Sequence, residues 1–387
     1  MTPSVIVVGG GIIGAATGWA LAQEGVEVLL LEAGEFGGAS TGKSAAIVRC
    51  HYSNPEVVRM AVHSRETFRR LPLYLDCEPV YHRTGWLFLV DEADAPLAVQ
   101  NAEMQDREGL DSVDVDDVEA LLPGVDHAGI AYALWEPDSG FADPVAATRA
   151  YVAALRRAGG EAREGTRVES IAVERGQARG VRVDGGLLAC ETVVLAAGPW
   201  SLALGRTAGL ELPLEITREQ DVVFATAPVA TAPLAVSAQI DRVYLRPAPE
   251  YGEDHLLVGR GFPKQYENVD PDSYDHDVDD AFEADVRERV GRRLPQFDGM
   301  RRVAARVGMY DVAPDWHPIL GPIDEVEGLV LATGGSGHCF KLAPAIGELV
   351  AGSITEQKLE YADWKTFSVN RFAEGRELKS TYGGNRA

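Results

Sequence analysis

The stretch Ser4-Val5-Ile6-Val7-Val8-Gly9-Gly10-Gly11-Ile12-Ile13-Gly14 carries a β-branched strand into spaced glycines and on into an apolar helical run over residues 15–23. A second apolar run, residues 26–31, ends on Glu32. Each part suits the grip on an adenine dinucleotide. Gly9 lets the chain turn tightly out of the strand. Gly11 lets backbone N–H groups approach a pyrophosphate at the helix N-terminus, where Ile12 and Ile13 follow. Gly14, with Gly18 one turn on, lets the helix lie close to the sheet. Glu32, followed by Ala33, stands where a carboxylate accepts hydrogen bonds from ribose hydroxyls. An acid there argues against a 2′-phosphate and so against NADP. A lone GxGxxG is weak, but one between a strand and a helix, with an acid ending the next strand, is strong. The plain alternative is a glycine-rich turn with no ligand.

A chain of 387 residues is too long for one plain Rossmann domain and suggests two domains. No apolar run reaches the length of a membrane span. The start of the sequence runs straight into a strand, without a basic flank and apolar signal core. Cys50, Cys77, Cys190 and Cys339 are scattered, with no metal-type pair and no secreted framework. No metal site is expected, and reduced thiols in the cytoplasm are. A net charge of −23 disfavours nucleic acid and anionic membranes as partners.

The order of elements suggests a discontinuous architecture. Residues 55–71 read as a helix. Residues 80–142 read as short strand-like pieces, among them 85–90, with an acidic helix near 115–122. Residues 145–158 read as an amphipathic helix, and 192–198 as a buried parallel-type strand ending in small residues. Residues 215–262 look β-rich. Residues 277–294 carry apolar side chains at four-residue spacing, with acids first and arginines last, as the helix dipole favours. Residues 328–335 are a third strand running into glycines, and 342–353 form the last helix. Three such strand-to-glycine junctions can converge on one extended cofactor.

Five places together resemble the flavoprotein family of D-amino-acid oxidase, glycine oxidase and sarcosine oxidase. They are the N-terminal fingerprint, Ser40-Thr41-Gly42-Lys43-Ser44-Ala45-Ala46 leading into Ile47-Val48-Arg49, Ala196-Ala197-Gly198-Pro199-Trp200, Pro314-Asp315-Trp316-His317-Pro318-Ile319-Leu320-Gly321, and Thr333-Gly334-Gly335-Ser336-Gly337-His338-Cys339-Phe340-Lys341. The last two, in that order, are most similar to the sarcosine oxidase branch. The likeness covers nearly the whole chain. It implies an α/β fold: a Rossmann-like FAD-binding domain, discontinuous in sequence, with a mixed, largely antiparallel β-sheet substrate domain. The corresponding division is FAD-binding parts at 1–80, 144–214 and 306–387, and substrate parts at 81–143 and 215–305.

The resemblance implies FAD and oxidation of a C–N bond beside a carboxylate, in an amino acid or a sarcosine-like secondary amino acid. By the same resemblance Thr41, Lys43, Ser44, Ala45, Val168, Ala197, Gly198, Trp200, Gly335, Gly337, His338, Phe340 and Lys341 belong to the cofactor site. Val168 is expected on a strand beside the adenine. Arg49 and Lys341 are expected to clamp the substrate carboxylate. The pairing is physically sensible, since arginine offers a planar fork and lysine a second point charge. Tyr310, His51 and His338 complete the candidate catalytic set. The amine must lose a proton before hydride leaves the carbon, and a cationic pocket lowers the amine's pKa without a strong base. The imine then hydrolyses to an oxo acid, or to formaldehyde plus amine.

Two departures from the sarcosine oxidases matter. Some of these tether the flavin through a cysteine in Cys-Met-Tyr, and here the site reads Gly308-Met309-Tyr310, so FAD is expected to be non-covalent. Monomeric members carry a lysine over the flavin, which promotes reaction with dioxygen. The best register, through residues 255–259, puts Leu257 there, with Lys264 beyond the strand. Dioxygen or another electron acceptor thus both remain open. So do a nicotinamide dehydrogenase, a different flavin reaction, and a subunit of a heteromeric oxidase needing a partner chain.

Overall fold

The computed structural model describes residues 3–226, 234–262, 265–297 and 299–381. A six-stranded sheet is laid down from three separated stretches of chain. Its order is Ile319–Pro322, Leu329–Thr333, Thr192–Leu195, Val5–Val8, Val28–Leu31 and Glu161–Arg163. Every neighbour pair is parallel except the first, so the three glycine junctions leave the sheet at one end. Alternate residues of these continuously apolar strands serve two cores. Val5, Val7 and Leu30 face helices, while Ile6, Val8 and Leu31 face a three-stranded meander formed by Ser170–Glu174, Gln177–Val183 and Gly186–Ala189.

The first helix, Ile12–Gln23, is buried because it is wrapped on several sides. Gly347 of the helix Ala343–Thr355 meets its backbone directly: a Cβ at Gly347 would lie 2.7 Å from the Ala16 carbonyl carbon. Gly14 fits it against the strand turn as expected, since a Cβ there would lie 1.9 Å from the Gly9 carbonyl oxygen. Gly18 does a second job. Its open side faces Leu155 of the helix Pro144–Arg157, 3.2 Å from a Cβ, as well as Val28 of the sheet at 3.7 Å, so it seats a neighbouring helix in addition to the sheet.

The second layer is a nine-stranded sheet, antiparallel except where Ala235–Ala238 runs alongside Trp86–Val90. The helix Asp280–Arg293 packs Phe282, Val286 and Val290 onto one face, against Val222, Phe224, Leu256 and Val258. The opposite face looks toward the glycine junctions. The strand Arg301–Val312, paired along Glu215–Ala225, runs unbroken through residues 305 and 306, where the sequence reading sets a domain boundary.

Two helical expectations change. Residues 115–122 yield only the short helix Val118–Leu121, capped by Asp117 and stopped before Pro123-Gly124. The helix Ala95–Arg107 lies in a stretch read as strand-like. It buries only Ala98, Asn101 and Gln105, so its apolar pattern is too thin to announce a helix. Among the described residues no helix is long and apolar enough to cross a membrane.

Candidate active site

The three glycine junctions border one cleft of about 860 Å³. At one end Glu32 accepts backbone N–H bonds from Gly10 and Gly34, both at 2.7 Å, which aims its carboxylate across the turn. Gly10 is as constrained as its consensus neighbours: a Cβ there would sit 2.7 Å from that of Glu32 and 2.5 Å from the Phe36 ring. In the middle, Gly11 and Thr41 lie against each other, and Ile12 N donates to Thr41 Oγ1 at 3.2 Å. Gly11 at the N-cap offers no side chain, so apart from Ile12 N the helix N-terminus presents its backbone donors to the cleft, as a pyrophosphate requires.

Gly9, Gly11, Ile12, Ile13, Glu32, Ala33, Thr41, Lys43, Ser44, Ala45, Val168, Ala197, Gly198, Trp200, Gly335, Gly337 and Phe340 all line this cleft. Gly14 lies behind the wall. Val168 lines it from a loop rather than a strand, because Thr166 N is tied to the Glu32 carbonyl oxygen at 2.7 Å. Trp200 Nε1 donates to Asp272 Oδ1 at 2.9 Å. His338 and Lys341 border the smaller cavity described next and not this cleft. The length of the cleft, the acid at one end and small residues along its floor fit FAD, which would be held by the residues just named.

A cavity of about 160 Å³ opens beside the far end of the cleft. Ser44, Ala45, Tyr244, Tyr310, Gly337 and Phe340 border both spaces. The Tyr310 ring lies on the Gly337 backbone, where a Cβ would come within 2.2 Å of it. Arg49, His51, Trp86, Phe88, His338 and Lys341 form further walls. Tyr52 spaces the two cations: the Arg49 guanidinium lies 4.7 Å and Lys341 Nζ 6.0 Å from its ring centroid. Arg49 also donates to the His51 carbonyl oxygen, and Lys341 Nζ to that of His338 at 3.2 Å. Burial, reinforced by Arg49, brings the Lys341 ammonium down to about 7.

The histidines are placed but differently employed. Burial and Arg49 hold His51 down at about 3, so it is neutral, packed beside Trp86 and Phe88. His338 shares Nδ1 with Tyr52 Oη at 3.1 Å and Nε2 with the Trp316 carbonyl oxygen at 2.6 Å. A carbonyl only accepts, so Nε2 carries the hydrogen and Nδ1 accepts from Tyr52. Both ring nitrogens are thereby engaged in orienting Tyr52, and burial keeps the ring neutral. The Pro314–Pro318 motif supports this arrangement. Asp315 takes a bidentate bond from buried Arg371, 2.8 Å on each oxygen, and the fixed turn presents the Trp316 carbonyl.

Several residues near the site escaped sequence reasoning. Glu136 is fully buried behind Arg49 and accepts from Cys50 N at 2.8 Å and from Ser139 Oγ. Asp311 accepts from Gly334 N at 2.8 Å and Thr333 Oγ1 at 3.1 Å, bracing the third junction. Glu219, Asp221 and Tyr244 stand on the sheet face that closes the cleft. Residues 217–221 are polar at every position, so no periodicity singles out the two acids.

Leu257 is on the expected strand, His255–Arg260, but it borders neither cavity. It is fully buried with Val223 and Ala248, behind Ala45. Its cross-strand neighbour Arg246 is the nearby cation, committed to the Ala45 carbonyl oxygen at 2.6 Å and to Glu250 at 2.6 Å. Lys264 lies outside the described residues. At Gly308 a Cβ would press within 2.8 Å of Lys43 Cβ, and Cys339, the cysteine on the cleft, has its thiol pushed up by burial, away from the reactive thiolate. Acid precipitation is accordingly expected to leave a white pellet and a yellow supernatant. Colour retained in the pellet would reveal a covalent link.

A family model described as FAD dependent oxidoreductase (DAO) matches residues 4–353. Glycine oxidase of Pseudomonas putida is 31% identical, over 92% of this chain and 95% of its own length. Monomeric sarcosine oxidase of a Bacillus species is 25% identical, over 97% of this chain and 98% of its own. The crystal structure of L-proline dehydrogenase from P. horikoshii superposes with a TM-score of 0.88 at 26% identity, covering 98% of this chain and 99% of that one. The chain belongs to the DAO family of FAD-dependent oxidoreductases and is one of its amine and amino-acid oxidoreductases.

Proposed function

We propose that this protein oxidises the C–N bond of a small amino acid or secondary, sarcosine-like amino acid to an imine, which hydrolyses. The observation that carries this reading is the cavity of about 160 Å³ with Arg49 and Lys341 on its walls and Tyr310 and Gly337 shared with the cofactor cleft. Its size suits a substrate of few heavy atoms. Its two cations suit a carboxylate, and its aromatic walls, Trp86 and Phe88, suit the apolar remainder. FAD, when bound, supplies the two-electron sink for the hydride. The chain's residues fix the carboxylate, hold the reacting carbon beside the shared wall and exclude water. The relatives named for glycine, sarcosine and L-proline oxidation support a short or cyclic substrate.

Anaerobic bleaching of the yellow protein with sarcosine, glycine, dimethylglycine, L-proline, L-pipecolate and D-amino acids tests the reading. One or more of these amino acids is expected to bleach it. If none does, alone or with a co-purifying chain, the reading fails.

The acceptor is expected to be something other than dioxygen. Superoxide forms first when flavin meets dioxygen, and a fixed positive charge stabilises that anion as it appears. Here Arg246 is neutralised by Glu250, Arg49 and Lys341 face the substrate carboxylate, and the acids Glu219 and Asp221 line the cleft with Lys43. Stopped-flow mixing of reduced protein with air-saturated buffer is expected to show slow reoxidation, and a quinone or dye fast reoxidation. Air reoxidation faster than the dye's would overturn this.

A further inference from the structure

A hydrogen-bonded line of side chains leads away from the substrate cavity. Tyr310 and Tyr244 border both the cavity and the cleft, whereas Asp221 borders only the cleft. Tyr244 Oη donates to Asp221 Oδ1 at 2.7 Å. A carboxylate only accepts, so Tyr244 spends its one hydrogen on Asp221 and leaves its oxygen to accept from the cavity side. The order is therefore directional, from the cavity outward. The space for it is made by Gly259, where a Cβ would stand 2.2 Å from Tyr244 Oη and 2.4 Å from Asp221 Oδ1. Arg306 lies 3.7 Å from the other oxygen of Asp221.

We propose that Tyr244 and Asp221 form a relay that removes the substrate's amine proton to the cofactor-cleft side, with Asp221 as its acceptor. This rests on the reading of the protein as an amino-acid oxidoreductase. The substrate ammonium gives a proton to Tyr244 Oη as Tyr244 passes its own to Asp221. The amine ends neutral with its lone pair free, the phenol is restored, and the carboxylate becomes a carboxylic acid. No electrons move in this step. Burial, with Asp221 beside it, holds the Tyr244 phenol far above its ordinary range, so it does not stall as a phenolate. Glu219 lies two residues along the same strand face, and exposed Asp272 borders the same cleft, giving the proton an acidic path onward.

The test uses the holoenzyme and the amino acid that bleaches it fastest, at saturating concentration, over a range of pH. The other titratable or charged groups around the relay are Glu219, Asp272, Arg306 and Lys43 on the cleft side, Tyr310 between the two spaces with Tyr266 near it, and Arg49, His51, Arg260, His338 and Lys341 on the cavity side. Of these, Lys341, at about 7, loses its charge as pH rises and weakens binding, which saturation removes from the rate. Asp221→Asn and Tyr244→Phe are each expected to slow bleaching about a hundredfold near neutrality. Both are expected to recover toward the wild-type rate above the substrate's own amine pKa, where the amine arrives deprotonated. Infrared difference spectra on anaerobic substrate addition are expected to show a protonated-carboxyl band in the wild type that Asp221→Asn lacks. Equal slowing at every pH, unchanged rates near neutrality, or a band that survives in Asp221→Asn overturns the relay. If Asp221→Asn does not fold, Tyr244→Phe carries the rate test alone, and its missing phenol also predicts loss of the carboxyl band. A wild type that no amine bleaches overturns the functional reading instead, and the relay falls with it.

Discussion

Gly14→Ala is expected to give a chain that purifies colourless and melts far below the wild type, while Gly11→Ala melts normally yet binds FAD poorly. At Gly14 the new methyl would lie 1.9 Å from the Gly9 carbonyl oxygen and 3.1 Å from its carbon. Those are backbone atoms of a turn held at φ +112°, so neither side can yield without lifting the helix off the sheet. Overpacking against rigid backbone belongs with the largest point-mutant effects, above about 4 kcal/mol. At Gly11 the nearest obstacle is Thr41 Oγ1 at 3.0 Å, the end of a side chain that can turn. The fold survives, but the methyl stands where the pyrophosphate must approach. A loss of tenfold or more in FAD affinity, about 1.4 kcal/mol or above, is expected. Thermal melts of the apoproteins, with FAD titrations by fluorescence quenching, separate the two effects. A Gly14→Ala protein with wild-type melting and colour would sink the steric argument.

Arg49→Ala and Lys341→Met are each expected to weaken flavin reduction by amino acids by one to two decades, with FAD affinity unchanged. A charged hydrogen bond lost from a desolvated site costs about 1.5–3 kcal/mol. Arg49→Lys is not expected to restore full activity, because the planar fork is gone. The pair also predicts a pH dependence. Acetate, which lacks an amine, isolates the carboxylate site. Lys341 is protonated below about 7 and neutral above it, so acetate affinity should fall as pH rises through that value. A bound anion favours the ammonium, so binding on the alkaline side takes up a proton. Lys341→Met should flatten the profile and leave a weak, pH-independent site on Arg49. The perturbation of the flavin spectrum by acetate reads all of this. Amines without a carboxylate that reduce the flavin as well as amino acids do would remove the clamp.

The dinucleotide grip was legible because its logic is local. Val5 to Glu32 contains the strand, the turn, the helix and the acid in one continuous stretch, and the period-two burial of Ile6 and Val8 against Val5 and Val7 follows from strand geometry alone. Arg49 and Lys341 could be named only through resemblance, since a cation in a loop announces nothing about which side chain it will face. Glu136 and Asp221 were not legible. Each is one acid among many in an acidic chain, and each acquires meaning from a strand pairing remote in sequence: Glu136 opposite Trp86, and Asp221 opposite Gly259. Leu257 shows the reverse limit. Its strand was readable, but the side chain's position one layer behind Ala45 depends on how two domains meet.

The cleft borrows its walls from almost the whole chain, with Val8 at one extreme and Phe340 at the other. A ribosome adding about 5–20 residues per second needs tens of seconds to deliver both. During that time the nascent N-terminal unit displays a finished nucleotide fingerprint but only part of a binding site. FAD is therefore a late ligand, recruited after most of the polypeptide has emerged, and it contributes by mass action rather than by seeding the fold. At free FAD a hundredfold above Kd that contribution is about 2.7 kcal/mol. A cell short of riboflavin would thus hold less of this protein, because the unliganded fraction opens more often and is cleared by proteases.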